Sequence, residues 1–161
     1  MTGQQIRKQG RTQSSSAGGL QDSPGSSSRR LAQLLAAGLG LVVAFQLLLA
    51  AGAPFGAAAY GGADPGRLSS ELRTTSMFAA VFWLLACLTA LARGGVTASP
   101  ISYAFSRRAI WGLTMLLAAG AVMNIASSSP WERFGMAPFI AAMTALSWRL
   151  ARSRNPSVQE G

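Results

Sequence analysis

Residues 31–51 are 21 consecutive positions without a charged side chain. Wound as an α-helix they extend ~31 Å, which matches a hydrocarbon core of about 30 Å. Three more uncharged apolar runs follow at 74–92, 109–126 and 134–148. Only 12% of the chain is charged, against roughly a quarter in ordinary soluble domains, so lipid is the expected solvent. The predicted fold is all-α: an antiparallel four-helix transmembrane bundle over residues 30–152, with spans at about 31–51, 74–92, 109–126 and 132–150.

The ends of these runs carry stop and start signals. Gly52 followed by Pro54 suits a helix C-terminus, since glycine accepts the left-handed C′ conformation and proline cannot continue the ladder. Small residues Ala51, Gly52 and Ala53 also resemble a signal-peptidase site, but the run before them exceeds the usual 7 to 15 apolar residues. The second helix is expected to start near Ser69 or Ser70, with a hydroxyl cap and Glu71 at the positive end of the dipole. It should end at Arg93 before Gly94 and Gly95, and residues 96–106 then read as a connection. Ser129-Pro130-Trp131-Glu132 reads as a capping box that opens the fourth helix. The uncharged part of that helix covers about 22 Å, so spanning requires Arg133 and Arg149 to snorkel, and a re-entrant segment is the alternative. Pro138 should kink it.

Residues 1–29 are rich in Ser, Gly and Gln and predict a disordered basic cytoplasmic tail, and residues 153–161 a short second one. The net charge of +9 does not trace a nucleic-acid-binding face, because the basic residues lie in tails and connections. Eleven basic residues fall in the N-terminal tail, the middle connection and the C-terminus, against three (Arg67, Arg73, Arg133) in the other two loops. By the positive-inside rule both termini are cytoplasmic. Thirteen arginines to one lysine, with abundant Ala and Gly, suggest a GC-rich bacterial source and hence a bacterial plasma membrane.

The composition also removes chemistries. Histidine is absent, so imidazole zinc sites and Ser-His-Asp triads are unavailable, and Cys87 is the sole cysteine, so no intrachain disulfide forms. No acidic or basic residue lies deep in any span, which argues against proton relays and voltage sensing. No catalytic, cofactor-binding or metal-binding motif is found, and no cofactor is expected.

What polar chemistry remains gathers at one end. Gln46 and Asn124 both lie in the outer half of their spans and are placed to bond one another. Tyr60, Glu71, Arg73, Asn124, Glu132 and Arg133, with Asp64 nearby, form a candidate outer-face cluster able to meet a lipid headgroup. Each has a structural role as well: Glu132 completes a capping box, Glu71 complements a dipole, and Arg73 suits a loop carboxylate. Small residues repeat every fourth position at Ala32, Ala36, Gly40 and Ala44, and again at Ala137, Ala141 and Ala145, marking helix contacts within the chain or between subunits.

Gly52-Ala53-Pro54-Phe55-Gly56 with Tyr60-Gly61-Gly62, Leu72-Arg73, Met123-Asn124 and Pro130-Trp131-Glu132-Arg133 with Ala137-Pro138 together give a resemblance over residues 31–151. The chain resembles a loose, uncharacterised family of short four-span bacterial integral membrane proteins. The resemblance implies the four-span fold and a shared outer rim, and brings no activity or cofactor. The expected function is that of a multi-pass membrane protein, non-enzymatic, which packs against lipid, with a second copy or another membrane protein as the candidate protein partners. A small oligomeric transporter or channel subunit and a lipid-acting membrane enzyme are the alternatives.

Overall fold

The computed structural model describes residues 24–97 and 102–153. These form four helices: α1 (Pro24–Ala51), α2 (Ser70–Arg93), α3 (Tyr103–Ala126) and α4 (Ala137–Arg152). A π turn over Trp131–Met136 leads directly into α4, and two 3₁₀ turns, Gly56–Ala58 and Tyr60–Gly62, shape the α1–α2 loop. No strand occurs among the described residues. All four segments, Gly25–Ala51, Ser70–Arg93, Ala104–Ala126 and Trp131–Arg152, are long and apolar enough to cross a membrane. The fourth runs unbroken for 22 residues, ~33 Å, so its length does not require a re-entrant geometry.

The helices alternate in direction and pack as two hairpins, α1 with α2 and α3 with α4, closed by contact of α1 with α4. One core joins them, with Ala32, Leu35 and Leu39 of α1 against Ala90 of α2, Ile110, Leu113 and Leu117 of α3, and Met143 and Leu150 of α4. The outside is as greasy as the inside: Phe78, Met115, Val122, Met123 and Phe134 are all exposed. Patches of that extent in water drive association, whereas in a bilayer they are the lipid-facing surface. The chain is a multi-pass membrane protein whose exterior meets the bilayer.

Without a hydrophobic drive between helices in lipid, close backbone approach and buried hydrogen bonds hold the bundle. A side chain on Gly94 would collide with Ala32, and one on Gly38 with the Met143 sulfur, so α1 approaches both α2 and α4 closely. The Cys87 thiol donates to Ala36 O at 3.5 Å across the first hairpin. In the second, the hydroxyls of Thr114 and Ser147 lie 2.7 Å apart in the core, and Thr114 also donates to Ile110 O at 2.8 Å. At the end of the bundle that carries the termini, Arg93 Nη2 donates to Ser153 O at 2.6 Å, joining α2 to α4.

Several boundaries differ from those expected. α1 starts at Pro24, inside the stretch assigned to the tail, because Ser28 is buried where α1 meets Gly94 and packing overrides a weak local propensity. Residues 1–23 and 154–161 lie outside the described residues. α3 begins at Tyr103, capped by Ser102, whose Oγ accepts from Phe105 N at 3.3 Å, so Arg107 and Arg108 belong to the helix and not to the connection. Both expected glycine stops form, with Gly52 and Gly95 at positive φ of 93° and 67°. Ser69 does flank α2, but its hydroxyl makes no cap; its N–H instead donates to Asp64 Oδ2 at 3.0 Å. The small-residue stripes are buried only in part: Ala32, Ala36 and Ala137 are inside, while Ala44, Ala141 and Ala145 are exposed.

Candidate functional site

The end of the bundle opposite the termini is built from the 52–69 loop and the α3–α4 turn. The loop is compact because Gly56 N donates to Gly66 O at 3.0 Å and Ala57 N to Pro65 O at 3.2 Å, which brings two main chains together over Gly56. A Cβ there would strike the Asp64 carbonyl oxygen. Tyr60 takes a left-handed φ of 52°, and its hydroxyl reaches down to Ser76 Oγ at 2.9 Å, a side chain wholly buried in α2.

The turn grips this loop through three hydrogen bonds. Glu132 Oε1 accepts from Gly61 N at 2.8 Å, Ser129 Oγ donates to Ala57 O at 2.7 Å, and Ser128 Oγ donates to Gly61 O at 3.3 Å. The capping box is therefore only half made. Ser129 Oγ does accept from Glu132 N at 3.5 Å, but Ser127 Oγ takes the Ser129 N–H at 3.1 Å, and the Glu132 carboxylate is directed across to the loop. The π turn carries Glu132 inward: Ala137 N donates to Glu132 O, five residues back. That wider ladder ends just before Pro138, whose ring would crowd the carbonyl four residues earlier in an α-helix. The irregularity in this segment is the π turn over Trp131–Met136, immediately before Pro138.

Beneath the clamped loop a cleft of about 500 Å³ enters the bundle. Its walls are Leu41, Val42 and Phe45 of α1, Trp83 of α2, and Met136, Phe139 and Ile140 at the start of the fourth span, and its polar lining is Gln46, Tyr60, Asn124 and Glu132. Gln46 lies about 7 Å along the helix from Ala51 and Leu41 about 15 Å, so the cleft runs from the loop end to near mid-membrane. Leu41, 65% exposed, marks its lateral opening.

Of the six residues of the expected cluster, the structure brings Tyr60, Asn124 and Glu132 to this cleft and leaves Glu71, Arg73 and Arg133 outside it. Glu71 is exposed in the first turn of α2. Arg73 Nε donates to Ala50 O at 3.0 Å and so satisfies a terminal carbonyl of α1, in place of a loop carboxylate. Arg133 Nη2 donates to Ser127 O at 2.8 Å. The expected Gln46–Asn124 bond does not form, because Asn124 Nδ2 turns back to Gly120 O at 2.8 Å within its own helix. Gln46 Oε1 is buried with no hydrogen-bond partner. Sequence reasoning missed Ser76 and Trp83, which carry no signal beyond being polarisable or polar residues within an apolar run. Among the described residues no three His, Cys, Asp or Glu side chains gather as a metal site would require.

The fold and site define a membrane-spanning four-helix bundle with a polar-topped cleft. No protein family, curated protein or solved structure matches the chain.

Proposed function

We propose that this protein is a non-enzymatic integral membrane protein of a bacterial plasma membrane, with both termini cytoplasmic, that acts by packing against lipid or another membrane protein. The observation that carries the reading is the engagement of the rim. Arg73, Arg133, Ser129 and Glu132 each bond a main-chain atom, so they brace the loop and the turn and do not converge on one reacting centre. The positive-inside distribution supports the orientation, and the resemblance to short four-span bacterial proteins supports the compartment.

Comparing membrane lipid composition by mass spectrometry tests the reading, using cells that express the wild type, no protein, or a variant with alanine at Glu71, Arg73, Glu132 and Arg133. The expected result is the same set of lipid species in all three. A lipid product that needs the wild-type rim would replace this reading with a lipid-acting enzyme. Reporter fusions after residues 62, 98, 130 and 161 test the orientation, with 62 and 130 expected on the outer side.

A further inference from the structure

We propose that the cleft beneath the loop binds a single-chain amphiphile of the outer leaflet whose headgroup donates hydrogen bonds and bears no negative charge. The proposal rests on the lipid-packing reading above and names the ligand class. Its wall is apolar from Leu41 to Ile140 and lies within the membrane, which suits an alkyl chain, and about 500 Å³ is within the range of sites that enclose small ligands. The polar end is rich in acceptors. Glu132 brings a carboxylate, Gln46 an amide oxygen that is buried without a partner, and Asn124 an amide oxygen, one of its two N–H groups being given to Gly120 O.

A buried acceptor without a donor is unfavourable, and a rotation about the terminal torsion of Gln46 would turn its oxygen to a donor in the cleft. A phosphate or carboxylate would meet the opposite situation. Arg73 and Arg133 are committed to Ala50 O and Ser127 O and do not line the cleft, so an anion there would face the Glu132 carboxylate without a cation. A hydroxyl and an ammonium both fit this chemistry, and the carboxylate separates them, since only the ammonium gains from its charge.

The test uses the full chain in phosphatidylcholine nanodiscs with three photoactivatable single-chain probes: a monoacylglycerol, a long-chain alkylamine and a fatty acid. Adducts on peptides covering 41–46 and 135–140 are expected from the monoacylglycerol, the amine or both, at about tenfold over the fatty acid. Ile140→Trp, which fills the cleft, should remove these adducts, and Val42→Phe serves as a second filler if the first does not elute as a folded species. Phe78→Trp, on the lipid face, should leave them unchanged. Glu132→Gln should reduce amine labelling about tenfold and spare the monoacylglycerol, which identifies the head. Equal labelling by the fatty acid, or labelling that survives a folded cleft-filling variant, overturns the proposal and leaves the non-enzymatic reading intact. Chemical conversion of a probe would sink that reading instead.

Discussion

The Glu132 carboxylate accepts the Gly61 main-chain N–H at 2.8 Å, linking the turn before the fourth span to the loop after the first. Glu132 is buried, so removing its side chain leaves a main-chain donor without a partner. Glu132→Ala should cost about 1–3 kcal/mol, and Glu132→Gln less, because an amide oxygen still accepts. Reversible unfolding in mixed micelles measures both, and wild-type stability in the alanine variant would show that the clamp contributes nothing.

Thr114 and Ser147 place two hydroxyls 2.7 Å apart in the middle of the α3–α4 hairpin. A double-mutant cycle with Thr114→Val and Ser147→Ala should return a coupling of about 0.6–1.7 kcal/mol. Additive single effects would mean that the contact between the two hydroxyls contributes nothing beyond the bond each makes to Ile110 O.

Gly56 and Gly66 lie on facing segments of the loop yet differ in tolerance. A Cβ on Gly56 collides with the Asp64 carbonyl, while one on Gly66 meets nothing within 4 Å. Gly56→Ala should open the loop to added protease in sealed vesicles oriented with that face outward, and Gly66→Ala should remain as resistant as the wild type.

Gly94, at the end of α2, and Gly40, inside α1, give the same contrast. The first sits against Ala32 and the second has open space around it. Gly94→Leu should separate α1 from α2 and weaken a disulfide engineered across that hairpin, whereas Gly40→Leu should leave its formation unchanged. Equal effects would show that the close approach at Ala32 is not what holds the pair.

Number, direction and approximate extent of the helices were legible because charge is excluded from each span and clustered between them, a one-dimensional signal that lipid imposes. Glycine stops were legible for a similar local reason, since Gly52 and Gly95 need only their own backbone to act. Partners of the polar side chains were not. Asn124 had a carbonyl within reach one turn back in its own helix and bonded it, and Glu132 left its expected cap because Ser127 had already served that N–H. Such competition among neighbours is settled in three dimensions. Tyr60 and Glu132 both line the cleft, since topology alone brings the first loop beside the third.

The π turn has a consequence for how helix four can vary. Its ladder holds one residue more than an α-helix of the same height, which swings Trp131 and Glu132 by about 100° relative to everything after Met136. Two segments of one continuous rod therefore aim independently, the later one with Met143 and Ser147 into the core and the earlier one with its acid over the mouth of the cleft. Shortening that stretch by a single residue would leave every downstream contact in place while rotating the acid away from Gly61, uncoupling the 52–69 loop from a scaffold that is otherwise whole.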